Sequence, residues 1–191
     1  MTNISNRHRK RPPLVILLAG LPGTGKSTLA RKLARRYRLE HISTDSVRKR
    51  IFRDVRRDHF GRGSYSNRQR MVVYDTIYYV LYTLLKNNVG CVLDGTFYQD
   101  RMRAKVGRIC ARFNANFVLV IVTCPEETVR KRFEEREKRE RRTLSDADSK
   151  IYEKFKQLFE PTKLRHLDVD MGTDHEIILK MIHDAVTERK S

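Results

Sequence analysis

The sequence predicts an α/β fold with a central parallel sheet of about five strands, and three observations lead there. Short apolar runs alternate with helix-length amphipathic stretches along most of the chain. The run Asn116 to Thr123 is apolar almost throughout, as a strand covered on both faces must be. Residues 14–28 read LVILLAGLPGTGKST, a G-x-x-x-x-G-K-[ST] segment set between an apolar run and a helical pattern.

Leu14 to Ala19 is the first strand. A helix follows from about Lys26 to Tyr37, with Leu29, Leu33 and Tyr37 at four-residue spacing as its core stripe. Leu39 to Ser43 is a short strand ending in Thr44-Asp45. Residues 46–63 are basic and turn-prone, with Gly61 and Gly63 marking a loop. Ser66 is the candidate N-cap of a long helix over about Asn67 to Lys86, which Asn87-Asn88 and Gly90 stop. The third strand, Cys91 to Leu93, ends in Asp94, and a basic helix spans about 100–113. After the fourth strand, Pro125 opens a highly charged helix at its first turn. Another helix covers about 146–159 and stops before Pro161. A last strand, Leu164 to Val169, and a helix from about Asp174 follow.

The chain of 191 residues reads as one domain over 14–191, preceded by a flexible basic tail over 1–13 that holds Arg7, Arg9, Lys10 and Arg11. No apolar run approaches the ~20 residues that span a bilayer. The opening is polar and basic until Leu14, so a cytoplasmic location is expected. The three cysteines lie far apart and form no C-x-x-C pair, which reads as reduced, buried thiols. The histidines show no metal-ligand spacing. Net charge is +18, with 41 Lys and Arg against 23 Asp and Glu. Such a field speeds encounter with a polyanion, so nucleic acid is the expected partner; a generally basic proteome is the alternative.

The glycine-rich segment carries the most specific chemistry. Gly20, Gly23 and Gly25 let the backbone turn and aim its N–H groups at a phosphate, with Thr24 and Thr28 completing the segment. Lys26 can reach β- and γ-phosphates, and the Ser27 hydroxyl can ligate Mg²⁺. The following helix points its positive end at the same anion. Asp45 and Asp94 both close predicted strands, where ligands gather in open α/β sheets. Asp94 has the form of an acid that holds Mg²⁺ directly or through water, or else it caps the Asp-Gly-Thr turn, with Thr96 beside it. If a helix starts here, the D-x-x-R spacing puts Asp45 and Arg48 on one face. The carboxylate can accept a hydroxyl proton and Arg48 can bind a substrate phosphate; a cap with an incidental ion pair is the plainer reading.

In the helix from Pro125, Glu126/Arg130, Glu127/Lys131, Glu134/Lys138, Glu135/Arg139 and Glu137/Arg141 pair at i,i+4. Arg132 and Arg136 have no such acid and lie one turn apart. They are candidates for reaching a transferring phosphoryl group, or else they form a solvated face. Arg101, Arg103, Lys105 and Arg108 form a basic stretch fit to track a polyanion. Tyr65, Tyr74, Tyr78, Phe97 and Tyr98 are candidate base-stacking rings, with core packing as the commoner use of such tyrosines.

GLPGTGKST, TDSVR at 44–48, LDGTF at 93–97, the Arg-rich helix and SDADSKIYEKFKQLFEP at 145–161 together resemble the kinase domain of phage-type polynucleotide 5′-kinases. They resemble equally the wider set of small AAA-like P-loop kinases. The resemblance covers roughly 14–170 and implies a three-layer P-loop NTPase kinase fold with a helical lid over about 126–147. It implies ATP and Mg²⁺ as cofactors. Lys26 and Ser27 would bind phosphates and metal, and Asp94 would serve the metal and the acceptor. Asp45 would be the general base, Arg48 the binder of the acceptor's phosphate, and Arg132 and Arg136 the lid arginines. The expected reaction is transfer of the ATP γ-phosphate to a nucleic-acid hydroxyl, with the 5′-OH of RNA or DNA leading. The alternatives are a kinase of a sugar, nucleoside or aminoacyl-type acceptor, and a non-enzymatic nucleic-acid binder switched by ATP.

Overall fold

The computed structural model describes residues 11–52, 66–140 and 145–188. Most of the basic tail, the Gly61/Gly63 loop with Tyr65, and residues 141–144 of the expected lid lie outside the described residues. Five strands form one parallel sheet: β1 (Leu14–Gly20), β2 (Glu40–Ser43), β3 (Cys91–Gly95), β4 (Asn116–Thr123) and β5 (Leu167–Asp170). Their spatial order is β2-β3-β1-β4-β5, so the strand carrying the glycine-rich segment is central. The helices are α1 (Lys26–Tyr37), α2 (Thr44–Ile51), α3 (Asn67–Lys86), α4 (Asp100–Arg112), α5 (Glu126–Glu140), α6 (Ser145–Leu158) and α7 (His175–Glu188).

Alternation along β1 builds the three layers. Val15, Leu17 and Ala19 face Val73, Ile77 and Leu81 of α3 and Val106 and Cys110 of α4. Ile16 and Leu18 face Leu29 and Leu33 of α1 and Ile178 and Ile182 of α7. Both sides of the strand are therefore dry, which is why its sequence is apolar without alternation. The expected α/β architecture is the one observed.

Three local readings change. The first part of the expected 46–63 loop is helical: α2 begins at Thr44, with Asp45 in its first turn and Arg48, Lys49 and Arg50 in its last. Those charges complement the helix dipole at both ends. The last strand starts at Leu167 rather than Leu164, because its pairing with β4 runs only from Val120↔Leu167 to Thr123↔Asp170. Glu126 bonds Lys156 of α6, so this acid ties two helices together instead of serving only its i,i+4 neighbour.

Burial removes most of the proposed base-stacking surface. Tyr74, Tyr78, Phe97 and Tyr98 are all buried. Phe97 sits at φ 41°, an uncommon backbone for a bulky residue. Its N–H donates to the Tyr74 hydroxyl at 3.2 Å, and its carbonyl accepts from Arg103 Nη1 at 2.7 Å. Arg103, read as part of a phosphate track, is 0% exposed. Its Nη2 also donates to the carbonyls of Glu160 at 2.6 Å and Pro161 at 3.0 Å. The Glu160 N–H donates in turn to the Tyr98 carbonyl at 2.8 Å. This clasp pins the chain just after α6 against the start of α4. Arg103→Met is expected to cost about 3–5 kcal/mol in chemical denaturation, because buried carbonyls lose a charged donor. A loss below about 1 kcal/mol would show the clasp to be incidental.

Candidate active site

The glycine-rich segment links β1 to α1. A β-carbon on Gly20 would lie 2.2 Å from the Val122 carbonyl oxygen of the neighbouring strand, so only hydrogen fits there. Gly23 and Gly25 adopt φ 78° and 97°, the left-handed region that glycine enters without strain. The Thr24 hydroxyl donates to the Leu21 carbonyl at 2.9 Å and closes the loop on itself. That leaves the Thr24 main chain, rather than its side chain, to meet a phosphate.

Lys26 is buried and folds back over its own loop. Its Nζ donates to the Leu21 carbonyl at 2.5 Å and to Thr24 Oγ1 at 3.3 Å. Burial pushes the ammonium pKa down to about 8, and the nearby charges of Asp94 and then Asp45 oppose that fall. Lys26 thus feels both acids singled out in the sequence.

Those acids reach it by different routes. Asp94 is 3% exposed at the end of β3, in register with Leu18 of β1 and Ser43 of β2. Its Oδ2 lies 3.4 Å from His41 Nε2, without hydrogen-bond alignment. A β-carbon on Gly95 would come within 2.4 Å of Thr44 Cγ2. The bare glycine lets the start of α2 close onto the end of β3, which carries Asp45 toward Asp94. Asp45 is 71% exposed and accepts from buried Arg48 Nη1 at 2.7 Å.

Lys26, Ser27, Thr28, Asp45, Arg48, Asp94 and Thr96 all line one cavity of about 310 Å³, with Gly23 and Gly25 in its wall. The Thr96 carbonyl also accepts from the Gly20 N–H at 3.2 Å. Phe133 of α5 and Ile151 and Phe155 of α6 form an apolar side of the same cavity. Asp94 Oδ2 is buried without a hydrogen bond, and Ser27 lines the same cavity, so their oxygens are of the kind that fits a divalent cation held jointly with phosphates. Among the described residues no cluster of three His, Cys, Asp or Glu could hold a metal on its own.

Arg132 of α5 lines a second hollow, about 270 Å³, with Gly23, Gly25, Thr28, Glu135, Met171 and His175. Its Nη1 donates to the Gly23 carbonyl at 3.2 Å and approaches Cys124 Sγ at 3.5 Å. Arg132 thus touches the glycine-rich segment directly, lining a different hollow from Asp45. Arg136 follows one turn later in α5, and its side chain lies outside the described residues.

Arg70 was not singled out in the sequence. It is buried in α3 and lines the same cavity as Arg48, and its Nη2 bonds Asn67 Oδ1. A usable signal exists: Arg70 occupies the apolar stripe of its helix, with Val73, Tyr74, Ile77 and Tyr78. Arg103 does the same in α4, with Val106 and Cys110. An arginine on a buried stripe must be held by something inside.

A phosphate loop at the carboxyl end of a parallel sheet, with the β3 acid Asp94 and the α2 acid Asp45 lining the same cavity, defines a P-loop, kinase-like nucleotide-binding domain. The AAA domain family matches residues 15–162, and the chain belongs to that family. An uncharacterized protein of Mycobacterium tuberculosis is 38% identical over 100 residues, 50% of this chain. The match spans only 20% of that relative's own length. An adenylate kinase of Chlamydia pneumoniae is 25% identical over 121 residues, covering 62% of this chain and 57% of that one. Solved kinases share the fold. A gluconokinase from Sinorhizobium meliloti aligns with TM-score 0.64 at 15% identity, over 94% of each chain. The Mycobacterium tuberculosis APS kinase CysC, solved with AMPPNP and APS, aligns with TM-score 0.64 at 16% identity, over 92% of this chain and 98% of that one. Among the described residues no helix is long and apolar enough to cross a membrane.

Proposed function

We propose that the protein transfers the γ-phosphoryl group of ATP to an alcohol, and that the 5′-hydroxyl of RNA or DNA is the leading acceptor. The observation that carries the transfer is the meeting of Lys26 of α1, Asp45 and Arg48 of α2 and Asp94 of β3 in one cavity. Backbone amides around Gly23 and Gly25 cradle the phosphates, and Lys26 neutralises charge as the γ-phosphoryl group moves. Asp45 accepts the proton of the attacking hydroxyl, and Arg48 both orients Asp45 and faces the acceptor. Ser27 and Asp94 would hold Mg²⁺, which would supply charge neutralisation to the phosphates. The hollow beside Arg132, Met171 and His175 takes the nucleoside end of ATP. Residues of about 126–147 act as the lid, with Arg132 and Arg136 as its arginines and 14–191 as the kinase domain.

The net charge of +18 and the resemblance to phage-type polynucleotide kinases favour a polynucleotide end. A small alcohol is the second reading. It is favoured by the modest size of the cavity and by the gluconokinase and APS kinase among the structural neighbours. Labelled ATP incubated with 5′-hydroxyl oligonucleotides and with a panel of sugars, nucleosides and aminoacyl-type alcohols separates them. Label on the oligonucleotide end is expected. Label on a metabolite alone overturns the polynucleotide reading, and salt-sensitive RNA binding without transfer to any acceptor overturns the kinase reading.

A further inference from the structure

We propose that the exposed face of α4, with Tyr79 of α3 beside it, docks the strand of a polynucleotide whose end enters the cavity. The inference rests on the polynucleotide reading of the acceptor. Arg101, Lys105, Arg108 and Arg112 are all exposed and fall at i, i+4, i+7 and i+11, so they form one stripe along the helix. Arg103, which lies among them in sequence, faces the core and leaves the stripe. From Arg101 to Arg112 the stripe runs about 16 Å at the rise of an α-helix. A stacked strand advances about 3.4 Å per phosphate, so the cations meet roughly as many phosphates as they number.

Like charges three and four residues apart work against a helix. In α5 the same spacing pairs Glu127 with Lys131. In α4 the one acid is Asp100, and it is bonded to Arg103 and Thr162 instead. Asp75 of α3, 3.3 Å from Lys105 in an exposed pair, is the one acid paired to the stripe among the described residues. Aromatic rings steady the cations from below. Lys105 Nζ sits 4.1 Å from the centre of the Tyr78 ring, and Arg112 Cζ 5.4 Å from that of Tyr82. These contacts follow the same order along both helices, so α3 and α4 run side by side in one direction. Because α4 starts just after Gly95 and Thr96 of the cavity wall, the stripe begins at the cavity end of the sheet and leads away from it. One turn after Asp75, Tyr79 is 72% exposed, the most exposed large apolar side chain among the described residues. A bare ring beside a row of cations suits a base stacked on the ring with its phosphates on the cations. A sugar or a lone nucleotide is too short to use this face.

The test uses the whole protein with a 5′-hydroxyl single strand of about twelve nucleotides, and with a dinucleotide too short to reach along α4. Fluorescence anisotropy follows binding across a range of salt, and labelled ATP follows transfer. Replacing Lys105, Arg108 and Arg112 together by Gln is expected to weaken binding of the strand about tenfold or more and to flatten the slope of log K against log salt by about 2. Transfer to the dinucleotide is expected to stay within about twofold of wild type. Tyr79→Ala is expected to weaken strand binding about 5- to 100-fold with the salt slope unchanged. Should the triple variant fail to fold, Arg108→Gln, a single change at an exposed position, is expected to flatten the slope by about 0.7. The docking face is overturned if the wild type binds the strand no better than the dinucleotide, or if folded variants bind and phosphorylate the strand as the wild type does. A neutral Tyr79→Ala together with equally strong competition by heparin overturns the polynucleotide as its occupant. A wild type that labels neither the strand nor the dinucleotide is a different outcome, and it overturns the polynucleotide reading together with the face.

Discussion

Lys26→Met is expected to raise the stability of the nucleotide-free protein at pH 7 while cutting phosphoryl transfer by about a thousandfold or more. The two effects share one cause. The folded pKa of Lys26 is about 8 against an ordinary value of 10.5, with burial as the main reason. Below pH 8 the side chain is charged in both states, and the fold carries the full desolvation cost. A shift of this size corresponds to on the order of 3 kcal/mol. Between pH 8 and 10.5 the unfolded chain binds more protons than the fold, so stability contributed by this group rises with pH. Methionine removes the penalty, so its advantage is full at pH 7 and fades as pH climbs through that window. The lost bond to the Leu21 carbonyl matters little, since the Thr24 hydroxyl also donates to it. Denaturation curves at pH 7 and pH 10 check the sign; a variant less stable than wild type at pH 7 would contradict it. The same linkage predicts that nucleotide binding near pH 9 takes up a proton, because phosphate favours the ammonium form. Calorimetry in two buffers of different ionisation enthalpy measures that uptake.

Asp45→Asn is expected to bind ATP normally and to lose about 10²- to 10⁴-fold in turnover. Asparagine keeps the size and one acceptor oxygen, so Arg48 retains a partner. The carboxylate is 71% exposed, and an ion pair so open to water contributes at most about 1 kcal/mol, so the fold survives the change. Only the proton acceptor is lost. Single-turnover rates with saturating ATP isolate that step from binding. Full turnover in the variant would move the base role to Asp94, the other carboxylate lining the cavity. Asp94→Asn would then be the variant that stalls, with weakened Mg²⁺ dependence as well.

The residues whose neighbourhood spacing anticipates are those whose geometry is local. Gly20 to Thr28 run without a break from the end of β1 into α1, and Asp45 and Arg48 share one turn of α2, so spacing alone makes them neighbours. What spacing cannot encode is which distant segment closes over each group. Tyr74 has the same spacing whether it stacks on a base or bonds the Phe97 N–H, and packing of α3 on β3 chose the second. Arg103 belongs to a basic run, yet it faces the core because its helix buries that stripe. Arg70 is the converse case: a lone cation on the apolar stripe of α3, outside any cluster of charge. Arg132 was a candidate for reaching a transferring phosphoryl group, and its bond to the Gly23 carbonyl joins segments too far apart in the chain for spacing to link them.

The strand order has a kinetic corollary. β1 lies between β3, which brings Asp94, and β4, beyond which sits the Arg132 hollow. Two substrates lodged on opposite flanks of one central strand need not exchange places. Initial-rate plots should therefore intersect rather than run parallel, and a chiral thiophosphate should emerge with its configuration inverted.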